Sequence, residues 1–255
     1  MNMFAADNGS GLPIVLLHGY CGSHRYWDEV APLLTERYRV IAPDLRGHGE
    51  SPGGDGIYTM ESLAGDMVEL LDRLGIGQAI VIGHSLGGYV TLALAESFPA
   101  RLAGFGLAHS TSYADGDAAK SNRDKAAETI GKDGVVPFVT GLVPKLFAPE
   151  HRGESNPSLK KALDIGYGTS PQGAIGCALG MRDRPDRTSA LANSELPILL
   201  LAGEKDEVIP AERRFPVAKP NIEQVTLPNV GHMGMMEDPR AFADAIVAFV
   251  QRTGN

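Results

Sequence analysis

An α/β fold is what this 255-residue sequence predicts: a mostly parallel, twisted sheet with helices on both faces and a helical insertion. Three observations predict it. Short apolar runs alternate with longer amphipathic segments, the pattern of strand–helix–strand units laid on a parallel sheet. A Gly-x-Ser-x-Gly pentapeptide, Gly83 to Gly87, sits directly between one such run and one such helix. The stretch from Ser110 to about Glu195 then breaks the rhythm, with helical segments, many prolines and no β run.

Taken in order, Pro13 to Leu17 reads as a buried strand, followed by the glycine turn His18-Gly19-Tyr20-Cys21-Gly22. Tyr26 to Arg37 reads as one helix, because Trp27, Val30, Leu33 and Leu34 share a face. Tyr38 to Leu45 is the next strand, and Arg46 to Asp55 a loop. Met60, Leu63, Met67, Leu70, Leu71 and Leu74 recur at helical spacing, with Gly75 as the stop. Ala79 to Ile82 is a strand, the turn at Gly83–Gly87 follows, and a helix runs to about Phe98. Leu102 to Leu107 is another strand. Pro197 to Leu201 and Gln224 to Leu227 are two more, each followed by a loop and a helix, and the last helix covers Pro239 to Val250. The expected organisation is a core of residues 1–110 and 196–255, with residues 111–195 inserted as a helical cap.

Composition narrows the function classes. Apolar residues at 43% and charged residues at 21% suit a packed globular chain. A formal net charge of −8, with no lysine/arginine run longer than two, disfavours nucleic acid and anionic membrane surfaces as partners. Two cysteines, Cys21 and Cys177, make no disulfide framework and sit in no paired metal-ligand spacing, so reduced thiols are expected. MNMFAADNGSGLP lacks a basic and an apolar leader region, and no apolar run approaches a membrane span, so a cytoplasmic protein is the expectation.

The chemistry centres on the pentapeptide. A serine in a sharp strand-to-helix turn presents its hydroxyl above the sheet, and the flanking glycines let strand and helix approach closely. Ser85 is therefore the candidate nucleophile. A serine hydroxyl needs an adjacent base oriented by a third group. Of seven histidines, His232 follows the last strand in a loop at the carboxyl rim of the sheet, where open α/β sheets put their ligands. His84 must point away from the nucleophile; His18 and His48 are expected to bond loop backbone; His24 and His151 have no context; His109 ends a strand on the same rim and is a secondary candidate for substrate contact. Asp206, after the strand LPILLLAG, is the candidate acid, with Glu204 and Glu207 as rivals. The other rim position for an acid, after Leu107, holds none before Asp115. A tetrahedral intermediate needs two donors to its oxyanion: the Leu86 amide, and one from the early glycine loop, the Tyr20 amide, with Cys21 as the alternative. Neither a cofactor nor a metal is expected, since no ligand cluster of His, Cys and carboxylate is spaced for one.

The succession HGYCGS, PDLRGHGES, GHSLGG, LLLAGEKDEVIP and NVGHM resembles the α/β-hydrolase superfamily, in its branch of small capped esterases, lactonases, C–C hydrolases and cofactor-free haloperoxidases. The resemblance covers about residues 12–110 and 195–252. It implies the α/β-hydrolase fold, Ser85 as nucleophile, Asp206 as acid, His232 as base, and Tyr20 and Leu86 as oxyanion donors. Haloalkane dehalogenases and epoxide hydrolases of this fold carry aspartate where this chain has Ser85, which disfavours those activities. The loop reads His-Gly-Tyr rather than HGGG, which disfavours a lipase of that type. The expected activity is hydrolysis of a small carboxylic ester or lactone, by a monomer or homodimer. C–C bond hydrolysis, perhydrolysis and slow-turnover ligand reception are the alternatives. Phe138, Leu142, Leu146, Phe147 and Met181 of the insertion are expected to line an apolar acyl pocket.

Overall fold

The computed structural model describes residues 3–254. Its seven strands are β1 (Ala5–Asn8), β2 (Pro13–Leu17), β3 (Arg39–Pro43), β4 (Ala79–His84), β5 (Leu102–Ala108), β6 (Ile198–Gly203) and β7 (Ile222–Leu227). They form one sheet in the order β1-β3-β2-β4-β5-β6-β7, parallel except for β1 against β3. Every residue of β4 and β6 is buried, which requires cover on both faces of the sheet. α2 (Met60–Arg73) and α3 (Leu86–Ser97) pack on each other, and α1 (Ala31–Thr35) and the short α9 (Gly234–Glu237) pack on α10 (Pro239–Arg252). The chain passes from β2 outward to β3 and then back to β4 on the other side of β2. Loops leaving β2 and β4 therefore diverge at a topological switch point, the usual crevice for a ligand in an open α/β sheet.

Three elements depart from expectation. The span 26–37 is not one helix but a 3-10 turn (His24–Trp27) followed by the short α1. Pro32 lies in the first turn of α1, where its missing N–H costs nothing, but its ring forbids a helix continuing in from the preceding turn. No α-helix stands between β6 and β7 among the described residues. Only a 3-10 turn (Ala211–Arg213) forms there, in a stretch interrupted by Pro210, Pro216 and Pro220. β1 carries no sequence signal, being an edge strand of small and polar residues with no buried position.

Between β5 and β6 every regular element of the described chain is helical: α4 (Asp117–Asp133), α5 (Val135–Leu142), two 3-10 turns (Val143–Leu146 and Pro149–His151), α6 (Pro157–Tyr167), α7 (Pro171–Asp183) and α8 (Thr188–Asn193). Pro149, Pro157 and Pro171 each open a helix, where proline's fixed φ is already helical. The segment leaves and rejoins the core at one neck: Arg187 N–H donates to Ser112 O (2.8 Å), and Ser112 Oγ meets Thr188 Oγ1 (2.8 Å). The Arg187 guanidinium, almost wholly buried, pairs with Glu61 of α2 and Glu96 of α3.

Candidate active site

Ser85 stands at φ 51°, ψ −113° between β4 and α3, a backbone conformation that L-residues avoid. The surroundings over-determine it. Its N–H donates to Ala108 O (3.0 Å), and its carbonyl accepts from Gly88 N–H (2.9 Å) and Ser110 Oγ (2.8 Å). The elbow also requires its glycines: a methyl at Gly83 would lie 2.2 Å from Gly87 O, and one at Gly87 2.4 Å from Leu17 O. The four non-glycine residues with positive φ among those described are Cys21, Ser85, His109 and Asn229. They fall in the loops after β2, β4, β5 and β7, so backbone strain is concentrated on the carboxyl rim.

His232 is nearly fully buried in the loop after β7. Its Nδ1 donates to Asp206 Oδ2 at 2.9 Å, which leaves Nε2 free to accept a proton. Asp206 Oδ1 meanwhile accepts from the backbone N–H of Val208 (2.8 Å) and Ile209 (3.0 Å). Burial opposes ionisation of Asp206, yet His232 and His109 outweigh it and hold the carboxyl well below the usual carboxylate range. His109 Nδ1 stands 3.5 Å from Oδ2 without a well-aligned hydrogen bond, so its pull is electrostatic. The rival acids are engaged elsewhere: Glu204 accepts from Asn229 N–H (3.0 Å), and Glu207 pairs with Arg152 (2.6 Å). Asp115 pairs with Arg123 and Arg184.

Four of the other six histidines are structural. His84 Nε2 donates to His232 O (2.9 Å), pointing away from the elbow as the sequence predicts and holding the His232 main chain beside it. His18 Nδ1 donates to Gly19 O (2.8 Å) while Nε2 accepts from Leu45 N–H (2.9 Å), the pattern of a neutral ring. His48 bonds the Arg46 carbonyl. His109 does not face a substrate: its side chain has no exposure and stacks on Phe242. Burial lowers the pKa of His18, His84 and His109, and takes His48 down to about 3.

The Gly19–Gly22 turn, closed by Gly22 N–H donating to Gly19 O (3.0 Å), abuts the nucleophile. A methyl at Gly19 would sit 3.3 Å from Ser85 Cβ, so the Tyr20 backbone runs alongside Ser85. The Leu86 amide is the first of α3 and has no partner within the helix. The Tyr20 ring reaches the insertion, donating from its hydroxyl to Ala174 O (2.8 Å) and meeting Phe138 edge-on. Phe138 and Leu142 are partly buried, and Leu146, Phe147 and Met181 are buried. Leu146 O accepts from His232 N–H (2.8 Å), which places that residue's backbone against the His232 loop. The Cys21 thiol, sealed by burial, is pushed up to about 12, and burial raises Cys177 as well. Neither is a thiolate at neutral pH.

Arg214 escaped the sequence altogether. Arg214 wraps the acid loop, its guanidinium donating to Glu204 O (3.2 Å), Asp206 O (2.6 Å) and Ile209 O (3.0 Å). An arginine eight residues beyond the acid has no periodicity to announce it.

The sequence profile described as "alpha/beta hydrolase fold" matches residues 13–239. A dihydrolipoyllysine-residue acetyltransferase component of an acetoin cleaving system from Pseudomonas putida is 31% identical, covering 99% of this chain and 67% of its own length. A thermophilic esterase from Thermogutta terrifontis superposes with a TM-score of 0.95 at 33% identity, over 99% of this chain and 94% of that one. An enol-lactonase from Burkholderia xenovorans LB400 shares the fold with a TM-score of 0.90 at 23% identity, over 98% and 96%.

Proposed function

The chain belongs to the α/β-hydrolase fold family, and from that premise we propose that it is a serine hydrolase cleaving small carboxylic esters or lactones through an acyl-enzyme on Ser85. One observation carries the reading: a buried His232–Asp206 pair at 2.9 Å, on the same rim as a strained serine at a strand-to-helix turn. Asp206 fixes the His232 tautomer, so that Nε2 takes the Ser85 proton as Oγ attacks the carbonyl carbon. The amides of Leu86 and Tyr20 donate to the oxyanion that forms. Collapse expels the alkoxide, which receives the proton from His232. Water then enters by the same route in reverse and releases the acid. A lactone is a cyclic ester and follows the same steps with its alkoxide still tethered. The likeness to the Thermogutta terrifontis esterase supports the ester class.

In this reading residues 111–195 act as a cap. Phe138, Leu142, Leu146, Phe147 and Met181 supply the apolar side of the acyl pocket. Each methylene that fits contributes about 0.8 kcal/mol of binding until the space is filled. Two assays on the wild-type protein test this. A fluorophosphonate should label the tryptic peptide carrying Ser85 and no other. Across p-nitrophenyl esters from acetate to palmitate, kcat/KM should rise, peak and fall. Label on another residue removes Ser85 as nucleophile, and a monotonic rise through palmitate removes the closed pocket.

A further inference from the structure

Glu237 has no side-chain exposure, and both its carboxylate oxygens are filled by hydrogen-bond donors from two different parts of the chain. Oε1 accepts from the N–H groups of Gly231 (3.0 Å) and Met233 (3.1 Å), the residues on either side of His232. Oε2 accepts from Ala148 N–H (2.9 Å) and His151 Nδ1 (2.8 Å), both in the insertion. The amide between them, His232 N–H, goes to Leu146 O of the insertion. Three consecutive amides of the His232 loop are thus spent on Glu237 and on the insertion. The same stretch of the insertion also reaches the acid loop, through the Arg152–Glu207 and Lys205–Glu150 pairs. Those pairs are largely exposed and add little on their own. The Glu237 bonds are made by a carboxylate without exposure and are charge-assisted, the strong kind.

We propose that Glu237 is a positioning residue that locks the His232 loop to the insertion, so that the imidazole is aligned only while residues 146–151 are seated on the core. The inference rests on the reading of His232 as the general base. A buried carboxylate that satisfies four donors cannot be replaced by its amide without pairing an N–H₂ group against an N–H. Glu237→Gln keeps the size and loses either the arm to the His232 loop or the arm to the insertion. Misplacement of a catalytic group by about 1 Å costs on the order of 100-fold in rate.

The test compares wild type, Glu237→Gln, His151→Ala and His232→Ala in the full chain. The readouts are steady-state kinetics on p-nitrophenyl butyrate and the far-downfield proton resonance of the His232 Nδ1–H···Asp206 bond, identified by its disappearance in His232→Ala. Glu237→Gln is expected to lower kcat about 100-fold with KM within about two-fold, and to broaden or abolish the resonance. A merely structural role would leave the resonance in the folded fraction unchanged. A kcat within about three-fold of wild type with the resonance intact overturns the proposal. Should Glu237→Gln fail to fold, His151→Ala carries the test at a partly exposed 3-10 position. It removes one donor, and is expected to shift the resonance and lower kcat about five-fold; no change in either overturns the proposal. Full activity in His232→Ala would instead overturn the reading of the base, and the resonance would still report whether Glu237 holds the loop.

Discussion

Asp206 uses its two oxygens for two purposes. Oδ1 is spent on the backbone of its own loop, which fixes the carboxylate plane; Oδ2 is turned on His232. Asp206→Asn can keep the first set of contacts only by presenting an amide N–H₂ to His232, which selects the wrong tautomer. It is expected to lower kcat about 10⁴-fold with little change in KM. Glu204→Gln and Glu207→Gln should each stay within about three-fold, because their carboxylates serve Asn229 and Arg152. A silent Asp206→Asn beside a crippled Glu204→Gln would move the acid to Glu204. The rim positions of Ser85, Asp206 and His232 were legible because each stands in a turn or loop soon after an apolar run. Arg214 and Glu237 were not, since they act through backbone groups that only the folded chain brings together. His109 shows the limit of position alone. Its place on the rim was right, but its side chain turns into the core against Phe242 rather than toward a substrate.

At the scale of elements, buried parallel strands were the most readable part. β2 matches its expected span, and β3 to β7 each differ from theirs by one or two residues at one end or both, since apolar runs bounded by turn residues carry their own limits. The elbow was readable for a different reason: Gly83 and Gly87 are demanded by contacts closer than any Cβ allows. β1 was invisible because an edge strand of Ala-Ala-Asp-Asn buries no face, and only its pairing with β3 makes it a strand. The single helix expected over 26–37 failed on Pro32, whose apolar neighbours share a face whether or not one helix carries them. The missing helix after β6 failed on three prolines, with Arg214 supplying the order that a helix would have. The insertion's apolar residues were legible as apolar; which of them meet an acyl group is a question of tertiary placement that no periodicity encodes.

For the whole molecule, four buried histidines set an acid limit. His18, His48, His84 and His109 are essentially without exposure, and burial lowers the pKa of each below the ordinary value of 6.5. The unfolded chain therefore binds protons that the folded chain refuses. Stability is complete above about pH 6.5 and falls as the pH drops below it, by up to about 1.4 kcal/mol per histidine per pH unit. Urea midpoints measured from pH 8 to pH 5 should be level down to about 6.5 and then decline steeply, well before carboxylates titrate. A flat profile to pH 5 would mean these rings are protonated or solvated in the folded state. The central claim, an acyl-enzyme on Ser85, is tested most directly by Ser85→Ala, assayed for hydrolysis of p-nitrophenyl butyrate with the melting midpoint followed alongside. The Ser85→Ala protein should keep the fold, because the serine's backbone bonds and not its hydroxyl hold the elbow, and should lose kcat roughly a million-fold. A folded Ser85→Ala protein retaining more than about one per cent of wild-type kcat would contradict the account.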